Sequence, residues 1–220
     1  IPYCTGDIHW GNATVDYDAD LTIHHRGYPN AMAVLDWAEA HYPNPEHIFV
    51  TGCSAGAYGA VGYAAHVAKR WPDARVTVVG DSGAGVVTES FFKESFPNWA
   101  VDDLMPTWLE GLAGRDILTL TLEDLYLAVA AGYPEMRLAQ QNAAFDRDQR
   151  FYYAVMGGEE AEWPVALRAK LKAIRAGAEN FRYYTSPGQI HCLGPYGFWY
   201  ERGADGTAWT DWLAALLYDD

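Results

Sequence analysis

The sequence predicts an α/β fold: an α/β-hydrolase-like, mostly parallel sheet flanked by helices, with a helical cap inserted. Three observations predict it. Short apolar runs alternate with longer stretches of helical period. The connections between them are short, which suits parallel strands joined by crossover helices. The 220 residues are half hydrophobic and one-fifth charged, a globular composition able to bury one sizeable core. No repeat, low-complexity segment or linker interrupts the chain, so residues 1–220 read as one catalytic domain.

Ile1-Pro2-Tyr3-Cys4 reads as the end of a buried strand whose chain began further upstream. After Asn30 as cap, Ala31, Met32, Val34, Leu35, Trp37 and Ala38 give a helix that runs to His41. His47 to Gly52 is a short apolar run ending in glycine, a buried strand. Ala55 to Arg70, rich in Ala and Gly and stopped by Trp71-Pro72, reads as a helix packed closely on the sheet. Ala74 to Val79 is the next strand, and Gly80 to Gly85 the loop after it. From about 89 to 132 the pattern turns helical and irregular, with Trp99, Met105, Trp108 and Leu109; it is read as a cap over a pocket. Met136 to Ala144 reads as a third strand despite Gln140, Gln141 and Asn142. Arg147 to Met156 and Pro164 to Arg175 read as helices, Phe181 to Thr185 as a fourth strand and Trp209 to Tyr218 as a closing helix.

Composition narrows the function. A net charge of −14 repels phosphate, which argues against nucleic acid and weighs slightly against free polygalacturonate. No apolar run approaches the roughly 18 residues of a membrane span. Nine Trp and fifteen Tyr suit organic or carbohydrate ligands. Cys4, Cys53 and Cys192 lack the spacing of a zinc site, so no metal is expected, and Cys53 reads as a small buried residue.

The sharpest signal is Gly52-Cys53-Ser54-Ala55-Gly56, a G-x-S-x-G segment with a strand before it and a helix after it. Such a turn is tight and strained, so its neighbours must be small. It lifts Ser54 off the sheet at a helix N-terminus, where developing negative charge is favoured. The Ala55 N–H is one oxyanion donor. A serine nucleophile needs a base and an orienting acid, in the order Ser, acid, His. Of seven histidines, six lie in the first third; His191 alone lies in a late loop after a strand. Asp81 and Asp146 are the two candidates for the acid, with Asp148 a neighbour suited to capping. Trp10, Tyr58, Asp81, Ser82 and Trp108 are candidate pocket residues.

Four segments resemble the pectin acetylesterase/Notum family of serine carboxylesterases: Pro2-Tyr3-Cys4 with Asp7, the Gly52–Gly56 elbow, Phe145-Asp146-Arg147-Asp148-Gln149, and His191-Cys192. The resemblance implies an α/β-hydrolase fold, no cofactor, and Asp146 as the triad acid with His191 as base. It implies a secreted protein acting on a small-molecule or polymeric ester, with a short acyl group such as acetyl on a polysaccharide expected first and a lipid acyl group on a protein also allowed. The family carries a Gly-rich loop upstream of the PYC segment, so an associated upstream segment is expected to complete the oxyanion hole and to pair with Cys4. A broad aryl-ester or polyester hydrolase on the same triad, and a non-catalytic binding module of the same fold, are the alternatives.

Overall fold

The structure, a computed structural model, describes residues 1–196 and 199–219. The chain begins with an exposed, irregular stretch and then an antiparallel hairpin of β1 (Ala13–Asp18) and β2 (Leu21–His25). α1 (Gly27–His41) leads to β3 (His47–Cys53), α2 (Ala55–Arg70) and β4 (Arg75–Asp81). α3 (Glu89–Trp99) and two 3₁₀ turns precede α4 (Leu122–Gly132) and β5 (Arg137–Ala143). α5 (Arg147–Val155), α6 (Trp163–Gly177), β6 (Phe181–Ser186) and α7 (Trp209–Tyr218) complete it.

The sheet is fully parallel, in the order β3-β4-β5-β6. β4 and β5 are buried along nearly their whole length, as central strands covered on both faces must be. Period two splits their side chains between two cores. Val78 and Leu138 enter the large core with α2, α4 and α6, whereas Val79 and Ala139 meet Leu216 of α7 on the other face. α2 docks on β3 and β4 through small side chains, Ala57, Ala60, Ala64 and Ala68 among them. At Gly62 the helix leaves no room at all: a Cβ there would meet Trp10 Nε1 at 2.5 Å.

The polar end of β5 has a physical reason. Asn142 is fully buried, accepts from Gln149 Nε2 at 3.0 Å and donates to Gln140 Oε1 at 3.2 Å. Gln141 accepts from Trp209 Nε1. These side chains are the scaffold of the strand's C-terminal end, and buried polar groups persist when they are satisfied.

Three expectations need correction. Ile1 to Cys4 is not the end of a buried strand: Ile1 is 60% exposed and Tyr3 46%, outside any strand. Burial in this segment falls instead on Asp7, whose carboxylate accepts from Thr5 Oγ1 and from the amides of His9, Gly11 and Gly27. The β1–β2 hairpin was not foreseen, although Ala13, Val15 and Tyr17 alternate with Thr14, Asp16 and Asp18, and Leu21 and Ile23 with Thr22 and His24. Within 89–132, α4 packs on α2 and α6 as part of the layer beside the sheet, while its Leu122 and Leu125 line the pocket together with the stretch before it. Among the described residues no helix is long and apolar enough to cross a membrane, and β3 pairs on one side only.

Leu138 is fully buried at the centre of the sheet. Leu138→Ala is expected to lower unfolding free energy by about 2–5 kcal/mol, read as a lower urea midpoint with an unchanged native circular dichroism spectrum.

Candidate active site

Ser54 sits between β3 and α2 with φ 56° and ψ −117°, a conformation that L-residues rarely adopt. The sequence permits it because the flanking positions are small: a Cβ at Gly52 would run into the backbone of Gly56. The Ser54 N–H donates to the Asp81 carbonyl at 2.8 Å, and the Ser54 carbonyl accepts from Ala57 N at 2.9 Å. The Ala55 N–H is among the first amides of α2, which have no acceptor within the helix.

Asp146 is the N-cap of α5 and is fully buried. Its Oδ1 accepts from the amides of Asp148 and Gln149, both at 3.0 Å. Its Oδ2 accepts from Gln149 Nε2 at 2.9 Å, and the two oxygens lie 3.0 and 2.9 Å from His191 Nδ1. The loops carrying acid and base are laced together through Phe145 N to Gly188 O and Arg147 N to Gln189 O. Desolvation alone would lower the His191 pKa. The hydrogen bond and charge of Asp146, helped by Asp148 and Asp81, instead raise it above its ordinary value. Asp81 makes no contact with the His191 ring. No hydrogen bond joins Ser54 Oγ to His191 in this resting geometry, a contact that often tightens only with substrate bound.

Cys53 is not a free residue. It forms a disulfide with Cys192, so the residue before Ser54 is bonded to the residue after His191. Cys4 is the free thiol, and it is exposed. His191 and the two sulfurs lie within 4.8 Å of one another, the one such cluster among the described residues. The sulfurs are spent on each other and offer no thiolate to a metal.

A cavity of about 870 Å³ opens beside Ser54 and His191. Its walls are largely apolar, with Phe91, Phe92, Phe96, Trp99, Leu118 and Leu122 prominent. Trp10, Tyr58 and Ser82 line it, and desolvation pushes the Tyr58 hydroxyl up to about 12. Asp81 and Trp108 do not line it. Trp108 packs on the other side of the helical layer, edge-on to His66 with the Lys69 ammonium 4.3 Å from its ring centre. Asp81 lies behind the histidine loop, where its carboxylate meets backbone amides. The phenylalanines of α3 were missed. Phe91, Phe92 and Phe96 recur at helical spacing, which reads equally well as core. Gln149, the last residue of the F-D-x-x-Q segment, was also missed as a partner of the acid.

The pectinacetylesterase family model matches residues 1–107, a stretch that contains the PYC segment and the elbow. The family resemblance stands. The pectinacetylesterase match ends before Asp146 and His191, so those two rest on their own geometry. Among solved structures, the Wnt deacylase Notum from Drosophila superposes with a TM-score of 0.65 at 16% identity, over 98% of this chain and 65% of that one. At that identity the likeness shows the shared α/β fold. The chain thus spans just under two thirds of the length of Notum. No curated protein matches it.

The disulfide closes a loop across 139 residues. Cys192→Ala is expected to remove about 2–4 kcal/mol of stability. Thiol titration checks the pairing: the unfolded, unreduced protein should show one reactive thiol, Cys4, and the reduced protein three.

Proposed function

We propose that this chain is a serine carboxylesterase that releases a sizeable apolar acyl group through an acyl-enzyme. The observation that carries this reading is one cavity lined by Ser54 on its strained turn and by His191 paired to a buried aspartate. The match to the pectinacetylesterase family and the deacylase activity of Notum support ester chemistry. The disulfide supports an oxidising, extracytoplasmic setting.

In the proposed reaction, Ser54 Oγ attacks the ester carbonyl carbon while its proton passes to His191 Nε2. Asp146 fixes the imidazole with Nδ1 protonated and stabilises the cation that forms. The Ala55 N–H donates to the oxyanion. His191 then hands its proton to the departing alcohol oxygen as the carbon–oxygen bond breaks. Water repeats the sequence on the acyl-enzyme, gives its proton to His191, and releases the carboxylic acid and free Ser54.

The cavity argues for the acyl partner. A volume near 870 Å³ lies at the upper end of small-molecule sites, about 300–1,000 Å³, and an acetyl group would leave most of it empty. The walls are largely apolar, with Glu89, Lys93, Gln149 and Lys170 among the polar residues that line them, so the apolar part of the substrate is the part placed there.

Two measurements test the proposal. Across nitrophenyl esters from acetyl to hexadecanoyl, kcat/KM is expected to rise about fourfold per added CH₂ until the cavity is full, from about 0.8 kcal/mol per buried CH₂. An optimum at acetyl would assign the cavity to another purpose. Ser54→Ala should cut turnover by several orders of magnitude with the fold intact, and full activity in that variant would end the serine-nucleophile and triad reading.

The base works neutral, so activity should rise with pH through a His191 pKa held above 6.5. Asp146→Asn should move that limb to lower pH and cut kcat by about 10⁴-fold.

A further inference from the structure

We infer that Asp81 and Ser82, at the end of β4, are positioning residues that hold the nucleophile turn and the histidine loop in register. The inference rests on the triad reading above and deepens it. Asp81 is 2% exposed and Ser82 1%, and neither touches the His191 ring. Their contacts run along the backbone on either side of the site. The Asp81 carbonyl accepts the Ser54 N–H at 2.8 Å. Its carboxylate accepts the Leu193 N–H at 3.1 Å through Oδ1 and the Gly194 N–H at 2.9 Å through Oδ2. Ser82 Oγ accepts the Cys192 N–H at 2.9 Å and donates to Asp81 Oδ1 at 3.2 Å. Three consecutive amides directly after His191 thus end on two adjacent side chains, and the residue that receives two of them also receives the amide of the nucleophile.

A second feature sets this apart from ordinary loop packing. Ser82 has φ 59° and Cys192 φ 62°, so both chains turn in conformations that non-glycine residues rarely hold. Strain of that kind persists where surrounding bonds over-determine it, and it gathers at functional sites. The carboxylate is also expensive to bury. Desolvation raises its pKa, against the lowering pull of the Gly194 and Leu193 amides, Gln141 and Ser82. A carboxylate is suited to the place because it is acceptor-only and can take several donors at once. Asparagine keeps the shape but turns one oxygen into a donor that faces an N–H.

The test uses kinetics and a probe of the imidazole itself. Asp81→Asn is expected to lower kcat about 10²-fold with KM changed by less than about twofold, the pattern of a misplaced catalytic group. The downfield proton resonance of His191 Nδ1–H, bonded to Asp146, should broaden or vanish. It should remain in Ser54→Ala, which loses activity with the imidazole held. Ser82→Ala, a smaller change, should lower kcat about tenfold and decides the matter if Asp81→Asn does not fold. Removal of Asp81 should also shift the acid limb of kcat/KM to lower pH. Of the carboxylates that raise the His191 pKa, Asp146 and Asp148 stay in place. Wild-type kcat in the folded variants, or a lost kcat with an unchanged His191 resonance, overturns the inference. An absence of esterase activity in the unaltered protein would defeat the function proposed above, while the resonance would still report whether Asp81 holds the histidine.

Discussion

The constraint on which the site depends is the bond between Cys53 and Cys192. It joins positions 139 residues apart, one directly before Ser54 and one directly after His191. Without such a tie, two loops from opposite parts of the chain would have to be held by weak contacts alone, each worth about 1 kcal/mol net. With it, the elbow and the histidine loop are one covalent ring, and the remaining bonds need only set orientation. The partly buried Cys53 is then no core residue; it is placed where its sulfur reaches across the top of the sheet.

Orientation is the task of the strand ends. In a parallel sheet all C-termini point the same way, so β3, β4, β5 and β6 deliver the elbow, Asp81, the acid loop and the histidine loop to one edge. The end of β5 is polar for the same reason. Asn142 holds Gln149, Gln149 holds Asp146, and Asp146 holds the imidazole. Gln149 also accepts the Ala84 N–H at 3.1 Å, which brings the loop after β4 into the same network. Every side-chain polar atom of Asn142, Gln149 and Asp146 has a partner, the condition under which a buried network fixes one geometry and does not merely destabilise the fold.

Much of this was legible in the sequence where local chemistry dictates structure. The elbow could be read because its G-x-S-x-G pattern stands between a strand and a helix, with Gly52 too close to the Gly56 backbone for any side chain, and His191 because it stands apart from the other six histidines. The four strands could be read from their apolar runs, even β5 with its polar end. What could not be read depends on distant partners. Cys53 carries no local mark of its disulfide, since nothing near it in sequence says which cysteine lies opposite. Asp81 and Asp146 look alike as loop acids after strands, and only the three-dimensional path of the histidine loop separates their roles. Trp108 and Phe96 show the same limit: both are aromatic residues in the irregular stretch, yet one faces Lys69 and the other the cavity.

The acidic exterior and the apolar cavity act on different parts of a substrate. A net charge of −14 gives a field that repels free carboxylates, but an ester carries no charge, and its acyl chain can enter the cavity without electrostatic cost. Hydrolysis changes that balance. In the proposed reaction the acid released beside Ser54 ionises, and a carboxylate against apolar walls, on a chain of net charge −14, is disfavoured on both counts. Under the proposed function, the net negative charge and the apolar wall that suit entry of a neutral apolar ester also favour release of its charged product.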